Sequence, residues 1–262
     1  MDYRMIGMPD GLVGGVFTLT DAMCQQGARP CWMMYLGVDD VDACCAAFQA
    51  AGGAVGLPAF DIPNVGRIAM VTDPQGAALY VMKPIGTEDS TACAPERAGH
   101  GAWHELYAAD GPAATAFYGA QFGWEKAHAV DMGPMGVYQL WQRNGQTLGG
   151  IFTDPRFPQP AWLVYFRVDG IEAAAQRITQ AGGQVVNGPM EVPGGGWIVN
   201  GIDPDGAMFA LTGTRCSRAG PHAGRTLSLR RGALAFQAHA RVGHGLQLHR
   251  VPPLRHAVGL RP

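Results

Sequence analysis

Segment 30–84 returns as segment 160–214 at a constant offset of 130 residues, and no other feature of the chain constrains its fold as strongly. Trp32 pairs with Trp162, Tyr35 with Tyr165, Asp39 with Asp169, Gly52-Gly53 with Gly182-Gly183, Pro63 with Pro193, and Asp73-Pro74 with Asp203-Pro204. So many glycine, proline and aromatic matches without a gap do not arise by chance. Each copy opens on an alternating strand, 31–38 or 161–168, followed by an aspartate able to cap a helix. Val41, Cys44, Phe48 and Ala51 then recur at helical spacing before Gly52, as Ile171, Ala174, Ile178 and Ala181 do before Gly182. Two or three short strands follow, the last of them after the tight turns DPQG and DPDG. The unit is βαβββ.

Residues 100–152 follow the same order. A strand GAWHELYA leads to a helix starting at Asp110-Gly111-Pro112, with Ala114, Phe117 and Gln121 along it and Gly123 as its stop, then to strands over 124–130, 136–142 and 145–152. Residues 1–29 match only the end of such a unit, LVGGVF at 12–17 echoing TLGGIF at 147–152. The first module therefore reads as truncated, without its opening strand and helix. The expected organisation is a truncated domain over 1–84, a Pro/Ser/Thr/Glu-rich linker over 85–99, a complete domain over 100–213 and a tail over 214–262. An unpaired sheet edge left by the truncation invites a homodimer.

Charge separates the tail from the body. All 21 acidic residues lie in 1–213 with 10 Lys plus Arg, whereas 214–262 holds 9 Arg, 5 His and no acid. Such a tail suits an anionic partner, but it sustains no helical or strand period and offers only Phe236 for stacking, so nucleic acid gains little support and disorder is expected. No stretch approaches the ~18 apolar residues of a membrane helix, and the opening MDYRMIGMPDG lacks the basic and apolar segments of a signal peptide. A cytoplasmic protein without a membrane partner is expected. The six cysteines, Cys24, Cys31, Cys44, Cys45, Cys93 and Cys216, show no CxxC spacing and imply neither a disulfide framework nor a zinc site.

The segment WHELYAADGPAATAFYGAQFGW at 103–124, the VDD and VDG strand-to-helix junctions, and the endings DPQGAALYV and DPDGAMFAL resemble the vicinal oxygen chelate superfamily, the fold of glyoxalases, bleomycin-resistance proteins and ring-cleaving dioxygenases. Within it the chain looks most like the tandem-domain glyoxalase-like proteins. The resemblance spans about residues 1–213 and implies an α+β fold in which tandem βαβββ modules pair into curved mixed sheets around a cleft, with helices packed outside.

Alternation along the strands assigns the faces. His104, Leu106 and Ala108 share a face with Val164, Phe166, Val168 and with Met34, Leu36, Val38, the apolar series expected under the helices. The opposite face carries Trp103, Glu105, Tyr107, Leu163, Tyr165 and Arg167, with Met33 and Tyr35 in the first domain. Trp103, Tyr107, Tyr138, Trp141, Tyr165 and Trp197 are aromatic candidates for stacking on a flat ligand, Tyr138 and Trp141 being better explained as core. The glycine-rich EVPGGGW at 191–197 is suited to closing over the cleft, and FTDP at 152–155 to a turn. Glu105 is the candidate catalytic carboxylate, either a buried general base or an ionised partner of Arg167. His104 is expected to be a helix-covered structural histidine, and His100 and His128 to be exposed near strand ends.

By resemblance, metal-dependent members place ligands at positions occupied here by Trp103, Met33, Leu163, Tyr80 and Ala210. Only Tyr80 among these is even a weak ligand, so neither a metal nor any other cofactor is expected. The functional expectation is a small organic molecule bound in a metal-free aromatic cleft by Trp103, Glu105, Tyr107, Tyr165, Arg167 and Trp197. The alternative is a lyase or dioxygenase-like enzyme using Glu105 or a divalent metal.

Overall fold

Period-two strands need both faces covered or wetted, and in the computed structural model they assemble into two curved mixed sheets. The structure describes residues 3–86, 90–154, 157, 159–215 and 233–242. The elements are β1 (Tyr3–Met8), β2 (Gly11–Thr18), α1 (Asp21–Gln25), β3 (Trp32–Val38), α2 (Val41–Ala50), β4 (Ala54–Ile62), β5 (Gly66–Thr72), β6 (Ala78–Pro84), β7 (Gly101–Ala108) and α3 (Gly111–Phe122). They continue with β8 (Glu125–Asp131), β9 (Val137–Arg143), β10 (Gln146–Thr153), β11 (Ala161–Val168), α4 (Ile171–Gln180), β12 (Gln184–Glu191), β13 (Trp197–Ile202), β14 (Met208–Gly213) and β15 (Ala233–Val242). One sheet runs β1-β2-β15-β3-β6-β5-β4 and the other β12-β13-β14-β11-β7-β10-β9-β8. The duplicated units β3-α2-β4-β5-β6 and β11-α4-β12-β13-β14 take equivalent places in them.

Local chemistry explains the helix ends. Asp40 and Asp110 cap α2 and α3 by accepting from the N–H groups of Ala43 and Ala113, and Gly123 closes α3 at φ 65°. The second copy has Gly170 where the first has Asp40, and α4 carries no side-chain cap. Its first N–H, on Ile171, instead donates to the carbonyl of Thr214, whose hydroxyl donates to the carbonyl of Asp169. Along α3 the buried face is Ala114, Thr115, Tyr118 and Phe122, so Tyr118 takes the place expected for Gln121.

The two sheets share one core. Met34, Leu36, Val38, Val41, Phe48, Val71, Leu79 and Val81 pack continuously with Leu106, Ala108, Ala114, Tyr118, Phe122, Ile151, Trp162 and Val164. Edge contacts between Phe48 and Phe117 and between Trp32 and Phe166 lie within this join. The linker is tied down as well. His100, expected to be exposed, is 1% exposed: one ring nitrogen meets the Thr91 carbonyl and the other the Asp10 carboxylate, which also accepts from Arg97. The chain doubles back here, with the Gly101 and Ala94 N–H groups donating to Ala92 and Gly101 carbonyls, so a histidine adjoining β7 becomes the plug between linker and hairpin. His128 is exposed as expected.

Within the tail expected to be disordered, Ala233–Val242 forms β15, antiparallel to β2 and parallel to β3. It stands where β7 stands in the other sheet, and it covers the edge expected to be unpaired. The segment ALAFQAHARV alternates apolar Leu234, Phe236, Ala238 and Ala240 with Ala235, Gln237, His239 and Arg241, a strand period hidden by the basic composition around it. The rest of 216–262, including Cys216, lies outside the described residues; the other five cysteines are free thiols.

Tyr118 links the halves through polar contacts inside this core. Its hydroxyl donates to Asp73 Oδ2 at 3.1 Å and accepts from the Trp162 indole at 3.1 Å. Tyr118→Phe strips both groups of their partner in a buried setting, and chemical denaturation should register a loss of about 1–3 kcal/mol. A change below about 0.5 kcal/mol would show that this link contributes nothing.

Candidate functional site

Trp103, Glu105 and Tyr107 project from β7 on the face away from the helices, as alternation requires. Register places Trp103 opposite Tyr165, Glu105 opposite Leu163, and Tyr165 opposite Ala210. Tyr107, Phe152, Leu163, Tyr165 and Ala210 form a buried cluster, with Trp103, Tyr138, Phe157, Ile198 and Met208 packed against it. The ring of Phe157 stacks on Tyr107 at 3.9 Å between centroids.

Glu105 is 8% exposed and is held entirely by neutral hydroxyls among the described residues. Its Oε2 accepts from Tyr138 at 2.7 Å and its Oε1 from Tyr165 at 3.1 Å, and the Tyr107 hydroxyl on the same strand face favours the ionised carboxyl. The Trp103 indole N–H donates to the Tyr138 oxygen at 2.9 Å, extending the chain of donors by one step. Burial raises the carboxyl above the ordinary glutamate range, the three hydroxyls hold it back, and the nearby Asp154 carboxylate pushes it further up. Burial, and then the Glu105 charge, raise the Tyr138 and Tyr165 phenols, so both remain donors.

Tyr138 reaches Glu105 from two strands away. It lies on β9, Glu105 on β7, and β10 runs between them; that spans about 9.5 Å of sheet, which a tyrosine covers only by lying flat across the middle strand. The middle strand presents Gly150 opposite Glu105, and a Cβ there would fall onto the Tyr138 ring. The GG of TLGGIF is thus a trough for a side chain. The LVGGVF echo does the same: a Cβ at Gly15 would fall onto the Tyr3 ring. Tyr35 and Tyr80 stack on each other beside it at 4.7 Å. The residue opposite Gly15 on β15 is Phe236, where Glu105 stands opposite Gly150 on β7.

Three expectations are corrected. Trp197 packs with Ile171, Ala174, Ile178, Val199 and Leu211 on the helix face, with Arg215 over its ring at 4.7 Å, because β13 presents residue 198 rather than 197 to the other side. Arg167 does not pair with Glu105: its peptide group bonds to His100 and Gly99 at the far end of β11, and tyrosine hydroxyls take the role expected of it. Tyr138, expected to be core, is a partner of the carboxylate, whereas Trp141 is core, stacked on Trp124 at 3.9 Å. EVPGGGW is the β12–β13 hairpin turn. Asp154 of FTDP is buried close enough to act on Glu105, which the turn signal alone could not disclose.

His104 faces the core. Its Nδ1 donates to the Leu148 carbonyl at 3.4 Å, and burial pushes the imidazole down to about 4. The positions that hold metal in the resembling enzymes carry an indole at Trp103, an isobutyl group at Leu163 and a methyl at Ala210, none of which donates an electron pair to an ion. Among the described residues no three His, Cys, Asp or Glu side chains converge. This face does not fit a divalent metal held by protein ligands.

The family model described as the Glyoxalase/Bleomycin resistance protein/Dioxygenase superfamily matches residues 99–211. A Mycobacterium tuberculosis protein whose name designates it a glyoxylase, CFP32, is 34% identical over 187 residues, covering 71% of this chain and 70% of its own. The anthracycline biosynthesis protein DnrV of Streptomyces peucetius is 31% identical over 194 residues, 73% of this chain and 68% of its own. Among solved structures, the Mn(II)-bound glyoxalase from Novosphingobium aromaticivorans aligns at 16% identity over 84% of this chain and 73% of that one, with a TM-score of 0.48, too remote to transfer the role of any residue.

Gly150→Ala should tilt Tyr138 out of its trough, breaking its bond to Glu105 and destabilising the fold by about 1–3 kcal/mol; near-ultraviolet circular dichroism and a melting curve read both effects, and an unperturbed tyrosine signal would refute the trough. His104 supplies a pH signature. An unfolded histidine titrates near 6.5 and the folded one near 4, so its contribution is present above pH ~6.5 and is lost as pH falls toward 4, by about 3 kcal/mol in all. Denaturant titrations between those limits should show a steeper decline for the wild type than for His104→Gln; parallel curves would mean that the ring accepts its proton while buried.

Proposed function

The chain belongs to the glyoxalase/bleomycin resistance protein/dioxygenase superfamily, and from that premise we propose that it binds a small organic molecule on the helix-free face of its second domain, without a metal. One observation carries the reading: a nearly inaccessible carboxyl, Glu105, gripped by Tyr107, Tyr138 and Tyr165 among aromatic walls. A fold has no stabilising use for an acid placed there, since an apolar side chain of that size avoids the desolvation cost. Polar groups converging in an aromatic setting are the ordinary make-up of a ligand site. The relatives named for glyoxylase and for anthracycline biosynthesis are compatible with a small organic ligand. Trp103 and Tyr138 would contact the ligand from the half-buried rim and Tyr165 from below, while Glu105 fixes its orientation.

The raised Glu105 carboxyl favours a second reading, in which the same site moves a proton. A carboxyl lifted toward neutrality serves as general acid or base more effectively than an ordinary one. Binding and turnover separate the two readings.

A thermal-shift screen against aldehydes, glutathione adducts and aromatic compounds tests the site. At a hundredfold excess over Kd a ligand adds about 2.7 kcal/mol, on the order of 5–10 °C in Tm for a chain of this size. The stabilisation should be reduced in Tyr165→Phe, and lost in Glu105→Gln for a ligand that the carboxyl itself holds. A ligand that stabilises both variants as well as the wild type would remove this face from the binding site, and conversion of that ligand by the wild type but not by Glu105→Gln would establish the enzymatic reading.

A further inference from the structure

Buried carboxylates are ordinarily matched by a cation, because neutral donors only partly offset the loss of water. Glu105 has no such match. Its hydrogen bonds come from Tyr107, Tyr138 and Tyr165, and among the described residues no Lys, Arg or His bonds or ion-pairs with it. The charge that acts on it among the described residues, Asp154, has the same sign. We propose that the missing counterion is the ligand: a protonated amine carried on a flat apolar body. The proposal rests on the small-molecule reading above and names the ligand class for that site.

The hydrogen-bonding capacity of the walls points the same way. The Tyr138 and Tyr165 hydroxyls direct their single protons at Glu105, so the rest of each oxygen is acceptor only. One lone pair of Tyr138 is already taken by the Trp103 indole, whose N–H is thereby used up. A ligand entering here meets lone pairs, and it meets the negative ring faces of Trp103, Tyr138 and Tyr165, which attract an ammonium group at close range. A carboxylate or phosphate would face Glu105 directly, where the Tyr138 and Tyr165 hydroxyls and the Trp103 indole already spend their protons. The Arg167 side chain, on the same face of β11, forms no ion pair with Glu105.

A second consequence is a proton signature. A cation favours the ionised carboxyl, so its affinity should rise with pH across the titration of Glu105, whereas that of an uncharged ligand of the same shape should not.

Three probes of one shape, 1-naphthylmethylamine, 1-naphthylmethanol and 1-naphthoate, decide the matter by isothermal titration or ligand-detected NMR on the full chain. The amine should bind at least roughly tenfold more tightly than the alcohol, and the naphthoate more weakly than either. In Glu105→Gln, whose amide keeps one acceptor oxygen for a tyrosine hydroxyl and turns the other position into a donor, the amine should fall to the level of the alcohol while the alcohol changes by less than about threefold. Alcohol or naphthoate binding as tightly as the amine, yet weakened by Tyr165→Phe, would overturn the cationic ligand and leave the binding face standing. Absence of binding by all three, or binding indifferent to both substitutions, would overturn the proposal and the binding face together.

Discussion

A strand has two faces, and β7 uses them for opposite purposes. His104, Leu106 and Ala108 go into the core shared by both sheets, while Trp103, Glu105 and Tyr107 build the site one Cβ away. A shift of one residue would exchange the sets, placing an acid under α3 and a leucine among the tyrosines. The register is therefore held by the cost of both errors. That cost is set by the shared core, which packs α2 and α3 against strands of both domains and leaves β7 no freedom to slide.

The site depends on space as much as on chemistry. Glu105 is satisfied only because a tyrosine from two strands away crosses over Gly150, and the equivalent crossing of Tyr3 over Gly15 shows that the trough belongs to the fold rather than to the ligand. The two domains then diverge in charge. The second sets a carboxyl at the end of the trough; beside the first lie tyrosines, methionines and Phe17. Duplication supplied the shape twice, and a few side chains on one face decide what each copy can hold.

Much of this is legible along the chain. The offset repeat, the caps at Asp40 and Asp110, the stop at Gly123 and the two-face assignment of the strands all follow from neighbours a few residues apart, and the matching family agrees with them. The misreadings share a cause. One of the two readings of Glu105 paired it with Arg167, although tyrosine hydroxyls take that place; Trp197 was assigned by type, although its strand turns the other way; His100 was placed outside, although the linker folds back over it. Each depends on which strand lies beside which.

The sequence by itself determined the βαβββ units, the side of each strand that is apolar, and the absence of ordinary metal ligands at Trp103, Leu163 and Ala210, because these are properties of spacing and residue type. Only the tertiary structure decided that Tyr138 and Tyr165 grip Glu105, that Asp154 comes near it, and that Ala233–Val242 inserts between β2 and β3. Those contacts join residues between 33 and more than 200 positions apart in the chain; a one-dimensional pattern carries periodicity, but which distant groups meet is set by strand order and by the volume left between side chains.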